Sequence, residues 1–262
     1  HEPTFASAHL NLGNILNKLG KLKEAEVYTR KAIEYNSSSS QAHYNLGNIL
    51  RDLGKLEEAE IHSRKAIELN PNFTKAHLNL GNILKDLGKL QEAKLHSLKA
   101  IELNPNFAIS YLNHGNIVKD LGNLKEAEIL SRKAIELNPN FAEAYFNLGC
   151  ILKELGKLQE AEIQFRKTIE CNPNFAEAYS NLGGILKNIG KLQEAEIYSR
   201  KAIELNPNFV YAYLILGDIL RTSGKINEAK SALEKIMSIR PWSIIGSYNF
   251  NYQIISDLSH NS

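Results

Sequence analysis

The sequence is poor in the residues that would tie it to redox, metal or membrane chemistry. Its only two cysteines, Cys150 and Cys171, lie 21 residues apart with no CxxC neighbour and no histidine pair at ligand spacing. Neither a disulfide framework nor a zinc site is therefore expected, and both read as free thiols in a reducing, cytoplasmic setting. No apolar run approaches the roughly 20 residues of a membrane span, and no signal-peptide pattern opens the chain, so a membrane partner is not expected. Charge of one sign is also missing. Lys plus Arg is 31 against 29 Asp plus Glu, a net +2, which gives no electrostatic case for nucleic acid. There is no glycine-rich phosphate loop, no paired catalytic carboxylates and no nucleophile–base spacing. The segment is accordingly read as non-enzymatic, with no cofactor and no metal. The chain begins at His1 rather than Met. A piece of a longer protein is expected, with any targeting segment or catalytic domain outside it.

What is present is repetition. A glycine recurs every 34 residues at Gly13, Gly47, Gly81, Gly115, Gly149, Gly183 and Gly217, and an alanine at Ala25, Ala59, Ala93, Ala127, Ala161, Ala195 and Ala229. These mark seven repeats, 6–39, 40–73, 74–107, 108–141, 142–175, 176–209 and 210–243, after a lead-in at 1–5. In the fifth, Asn140-Phe-Ala-Glu143 offers a capping box for a first helix that runs to about Gly156-Lys157. Gly156 suits the left-handed residue that ends a helix. A second helix is expected from about Leu158 to Cys171, stopping before Pro173. In the first repeat Ser37-Ser38-Ser39-Ser40 stands where later repeats carry Asn-Pro, so a looser turn is expected there. Residues 244–262 leave the repeat and read as a capping helix or as the start of a following domain.

Helical periodicity sorts the fifth repeat into two arcs. Tyr145, Leu148, Gly149, Ile151, Leu152 and Leu155 form the core arc, with Asn147, Cys150, Lys153 and Glu154 on the polar arc opposite. Leu158, Ala161, Phe165, Thr168 and Ile169 make the inward stripe of the second helix.

The spacing of Tyr145, Leu148, Gly149, Leu152, Ala161, Phe165 and Pro173 resembles the tetratricopeptide repeat (TPR) family over about nine-tenths of the chain. Two departures are systematic. The third aromatic becomes Ser or Thr at Thr29, Ser63, Ser97, Ser131 and Ser199, and the end of the first apolar set is Leu or Val at Leu16, Leu50, Leu84, Val118 and Leu152. The resemblance implies an all-α, right-handed α-solenoid of seven helix-turn-helix units, with the first helices lining a groove that holds protein partners.

Three rows would face that groove. One reads Asn11, Asn45, Asn79, Asn113, Asn147 and Asn181, ending at Ile215; a second reads Asn14, Asn48, Asn82 and Asn116 before Cys150, Gly184 and Asp218. Carboxamides donate and accept, so such a file can bracket the peptide bonds of an extended chain whatever its side chains. The first row resembles the asparagine ladder in the TPR arm of O-linked N-acetylglucosamine transferases. A surface merely copied by duplication is the competing reading. The third row, Arg51, Lys85, Lys119, Lys153, Lys187 and Arg221, lies beside Asp52, Asp86, Asp120 and Glu154. It is expected to be self-paired, the alternative being that it steers an acidic peptide.

On the second helices Val27, Ile61, Leu95, Ile129, Ile163 and Ile197 lie off the inward stripe. If exposed, this strip, or the array ends, suits homo-oligomerisation; the competing reading is that neighbouring repeats partly cover it. His9, His43 and His77 occupy the place of Tyr111 and Tyr145 and read as core wall. Three functions stay open: a scaffold for an extended polypeptide, the substrate-recruiting arm of a glycosyltransferase-like enzyme whose chemistry lies beyond Ser262, and a self-assembling solenoid.

Overall fold

The computed structural model describes residues 2–239. All secondary structure among them is helical: α1 Glu2–Lys18, α2 Leu22–Tyr35, α3 Ser40–Asp52, α4 Leu56–Leu69, α5 Thr74–Asp86, α6 Leu90–Leu103, α7 Ala108–Asp120, α8 Leu124–Leu137, α9 Ala142–Glu154, α10 Leu158–Cys171, α11 Ala176–Asn188, α12 Leu192–Leu205, α13 Val210–Thr222 and α14 Ile226–Ile239. Each 34-residue repeat is one helix pair, giving an all-α helical-repeat solenoid. The chain forms two compact bodies, His1–Pro139 carrying α1–α8 and Asn140–Ser262 carrying α9–α14. The expectation for 244–262 falls outside the described residues. Residues 2–5, expected as a lead-in, are already the first turn of α1.

Helix ends follow the sequence at one end and depart from it at the other. Gly156 has φ +76°, and the amide of Lys157 donates to Leu152 O at 2.9 Å while that of Gly156 donates to Lys153 O at 3.0 Å. This double closure is open only to a residue at ease in the left-handed region.

The expected Asn capping boxes do not form. Phe73, Phe107, Phe141, Phe175 and Phe209 hold the N-cap positions and give no side-chain cap. Packing decides this: Phe73 lies on Tyr44 and Phe175 on Phe146, with ring centroids 5.0 and 4.8 Å apart. It is the asparagine before proline that works, Asn172 Oδ1 accepting from the amide of Asn174 at 3.1 Å. The serine turn is more tied than the Asn-Pro turns. Asn36 accepts from the amide and hydroxyl of Ser38, and Ser39 caps α3 by accepting from the amide of Ala42 at 3.2 Å.

No repeat buries its own apolar face. Leu46, Leu50 and Ala59 of the second repeat close on Ile83 of the third, with Ile33 of the first packed against them. In the second body, Leu216, Leu220 and Ala229 of the seventh repeat close with Ile203 of the sixth. Stability is thus a sum of neighbour terms.

The recurring glycine lies where the second helix comes closest. A Cβ at Gly47 would stand 2.5 Å from Ser63 Oγ and 3.2 Å from Asn79 Nδ2, whereas one at Gly149 would meet the Phe165 ring at 2.8 Å. Gly184 differs: a Cβ there has only Ile215 Cδ1 at 3.5 Å. Gly184→Ala is therefore expected to stabilise the second body by about 0.5–1 kcal/mol, read as a higher urea midpoint, because it removes a mid-helix glycine at no steric cost.

Outside, the second helices are laced by charge. Arg64 bonds Glu60 in its own helix at 2.8 Å and Glu92 of the next repeat at 2.5 Å, while Lys89 reaches back to Glu60 at 2.8 Å. Partial burial pushes the Glu60 pKa up, but the hydrogen bonds from Lys89 and Arg64 outweigh it and hold it below its usual value. Arg30, Arg166 and Arg200 repeat this lacing. In α6 the positions of the glutamate and arginine hold Lys94 and Leu98 instead.

Candidate functional site

In the first body the first helices of successive repeats lie against one another, α1 on α3, α3 on α5 and α5 on α7. That contact changes the reading of the first asparagine row. Asn45 and Asn79 are buried, 9% and 5% exposed, so at these positions the arc expected to be open is covered; Asn147 of the second body is likewise buried, 7% exposed. A helical wheel treats each helix alone and misses the neighbour that covers it.

Several of these carboxamides are already engaged. Asn45 Nδ2 donates to Asn14 Oδ1 of the preceding repeat at 2.5 Å and its Oδ1 accepts from Gln41 Nε2 at 2.7 Å. Asn79 Nδ2 donates to Ser63 Oγ at 3.0 Å, entering the space that the missing third aromatic leaves. In the second body that place is filled by Phe165, and Asn181 bonds instead to Lys153 Nζ at 2.7 Å and to Glu177 O at 2.9 Å. Asn11 is exposed and Asn113 half-buried.

The second row is different. Asn48, Asn82 and Asn116 are half-buried at identical positions on α3, α5 and α7, and their side chains make no hydrogen bond to another described residue. Beside them the basic row is largely self-paired. Arg51 Nε donates to Asp86 Oδ2 at 2.9 Å, Lys85 lies 4.0 Å from Asp120, and Lys187 pairs with Asp218 in the second body. Lys119 is half-buried at the same position of α7. An open cleft of about 430 Å³ adjoins the start of α3 and α5, lined by Gln41, Tyr44, Phe73, Lys75, Asn104 and Phe107.

The aliphatic strip is exposed. Ile61, Leu95 and Ile129 are 65%, 66% and 68% accessible in the first body, and Ile163 and Ile197 are 57% and 67% accessible in the second.

The histidines are organised in a way the sequence reading did not find. His43 Nδ1 lies 3.0 Å from His62 Nδ1, and His77 Nδ1 lies 3.1 Å from His96 Nδ1. The signal was available: only the second and third repeats carry histidine at both the fourth and the twenty-third position. Burial lowers the pKa of His43, His62, His77, His96 and His114. Lys65 and Glu68 face His43, Arg30 and Glu58 face His62, Arg64 and Glu92 face His96, and Glu126 and Lys94 face His114, so nearby charges of both signs partly offset there, whereas Lys99 faces His77 and lowers its pKa further.

The unfolded chain takes up protons at these histidines near pH 6.5, before the folded chain does. Stability is therefore full above about pH 6.5 and falls as the pH drops through that value toward the lower folded pKa. The first body is expected to melt at a lower temperature at about pH 5.5 than at about pH 7.5 in the presence of chelator.

No helix of the described residues is long and apolar enough to cross a membrane. Family models described as "Tetratricopeptide repeat" match residues 6–39 and 40–73, residues 108–141, and residues 63–94, 130–163, 165–197 and 198–231. The curated proteins hold no match to the chain.

Among solved structures, the APC/C hetero-tetramer Cut9-Hcn1 is similar with TM-score 0.78 and 17% identity over 88% of this chain, which spans only 46% of that one. Pseudomonas aeruginosa pilF is similar with TM-score 0.70 and 20% identity over 83% of this chain and 99% of that one. Both likenesses are of fold. YrrB, described as a TPR protein with an unusual peptide-binding site, is 30% identical over 70% of this chain and 95% of its own, with TM-score 0.52.

Proposed function

We propose that this chain, which belongs to the tetratricopeptide repeat family, is a protein-interaction scaffold that holds an extended polypeptide against the first helices of its N-terminal body. The observation that carries this reading is the file of Asn48, Asn82 and Asn116, half-buried and without internal hydrogen-bond partners. A carboxamide in that state keeps both its donors and its acceptor for a ligand, and three in register suit alternating N–H and C=O groups of a strand. The first row plays a different part. Asn45 and Asn79 are committed inside the protein and fix the spacing of the helices, while Asn11 and Asn113 extend the open surface. Lys85 and Lys119 flank the file, with Lys85 partly neutralised by Asp86 and Asp120. The reported peptide-binding site of YrrB supports peptide as the class of partner. The recruiting-arm reading would use the same surface and differs in what lies outside this chain.

Each bond to a peptide contributes about 0.5–1.5 kcal/mol net. Changing Asn48, Asn82 and Asn116 together to Ala should therefore weaken capture of extended peptides by roughly tenfold or more. Peptide-array binding of folded native and triple-variant chains measures it. Binding that is unchanged by the triple substitution refutes the site, and equal loss on changing Asn45 and Asn79 alone would move it to the first row.

A further inference from the structure

The two histidine pairs are no part of the asparagine file, and the proposed peptide site does not call on them. Their geometry fixes their protonation. His43 Nε2 lies 3.1 Å from Ser37 O and His77 Nε2 lies 3.0 Å from Pro71 O. A carbonyl only accepts, so each Nε2 carries the hydrogen and each Nδ1 presents a bare lone pair. Other repeats support the assignment: Tyr111 at the same position donates its hydroxyl to Pro105 O at 3.0 Å, and Tyr213 to Pro207 O at 3.3 Å. The His43 and His62 ring centroids are 5.2 Å apart with 23° between the planes. Set against the Nδ1 separation of 3.0 Å, the remainder is taken up by the two ring radii, so the rings meet head to head. His77 and His96 repeat this, with centroids 5.3 Å apart and 31° between planes.

We propose that each pair is a two-imidazole site for a borderline divalent first-row cation, Zn(II) or Cu(II), bound through the facing Nδ1 atoms. Imidazole is the protein ligand suited to these ions. A histidine oriented by a backbone carbonyl on its other nitrogen is the usual support for a metal bond. Two bonds of about 2.0–2.1 Å at a tetrahedral angle separate their nitrogens by roughly 3.3–3.4 Å and set the ion about 1.2 Å off the line between them, so the pair must open by a few tenths of an ångström and the lone pairs must turn off that line by roughly 35° each. His43 and His77 are held by their carbonyls, and His62 and His96, half-exposed on α4 and α6, supply the pivot. Without metal the bridging hydrogen sits on Nδ1 of His62 or His96. Binding moves it to Nε2 of the same ring, leaving both rings neutral and releasing no net proton.

No group of three or more metal-ligating side chains exists among the described residues, so water completes each coordination shell. Around the first pair Arg30 and Lys65 are offset by Glu58 and Glu68; around the second Arg64 and Lys99 face Glu92.

The test is equilibrium dialysis of the whole chain against zinc chloride near neutral pH, with retained metal counted by atomic emission. The comparison chain is His62→Leu with His96→Leu, since leucine stands at that place in the fourth repeat as Leu130. It keeps every other histidine, His1 included, so the difference counts the pairs alone. The native chain is expected to retain two more zinc ions than the double variant, and each single variant to lose one. Protonation removes the difference below about pH 6. Equal zinc content in the native and folded variant chains overturns the proposal. Should the leucine chain fail to fold, His43→Tyr with His77→Tyr, residues the later repeats carry, serves in its place. Nitrogen NMR of the native chain gives an independent readout: zinc should shift the Nδ1 resonances of all four rings, and unmoved resonances overturn the site.

Discussion

Gly149→Val is expected to lower the thermal unfolding midpoint of the second body by several degrees, corresponding to a loss of about 1–3 kcal/mol or more. The reason is local and steric. Even the first added carbon would stand 2.8 Å from Phe165 Cε1 and 3.0 Å from Cδ1 and Cζ, and the Phe165 ring is fully buried. The ring has no solvent to move into, so the two helices of the repeat must part or a side chain must leave its rotamer. A rotatable side-chain oxygen at the same place yields more easily. Gly47→Ala, which meets Ser63 Oγ, should thus cost less than Gly149→Ala. Differential scanning calorimetry of the chains measures both, and equal midpoints for Gly149→Val and the parent would refute the packing argument.

The second large effect is expected on the other side of the same contact. Phe165 is the largest fully buried side chain among the described residues, against Gly149 and with its ring centroid 5.7 Å from that of Phe146. Phe165→Ala removes most of that volume from a site closed by two helices and should cost about 3–5 kcal/mol. Phe165→Ser tests a subtler point. Where serine stands at this position, Asn79 of the next repeat turns inward to bond it. The shortened side chain should likewise admit Asn181, releasing Lys153, to which it now bonds at 2.7 Å. Loss of the Lys153–Asn181 contact in an NMR or crystallographic comparison is the readout, and its persistence would show that the two features are uncoupled.

Those couplings explain what the sequence disclosed and what it did not. The repeat length, the glycine that ends each first helix and the inward stripe were legible, because each is set by one helix or one turn. The sequence placed Ala161, Phe165 and Thr168 on that stripe, and all three are buried. Ile61 and Ile129 were placed off that stripe, but whether neighbouring repeats cover them is not set by one helix, and both are exposed. Asn45 and Asn79 misled, since the first helices of neighbouring repeats lie against theirs, which no single helix discloses. The Asn140 cap failed because Phe141 holds the N-cap position, a register set by aromatic packing that propensity does not see. Two asparagine rows looked alike in sequence, and hydrogen bonding to neighbours separates them: Asn45 and Asn79 are engaged, whereas Asn48, Asn82 and Asn116 are left for the proposed peptide site.

The lacing of the second helices has a mechanical corollary. Between the first and second repeats and between the second and third, arginine and lysine bridges tie one helix to the next. On that side Lys94 and Leu98 offer no such tie to the fourth repeat. Pulled from its two ends, the N-terminal body should tear first at this seam, shedding the fourth repeat as the earliest step of extension.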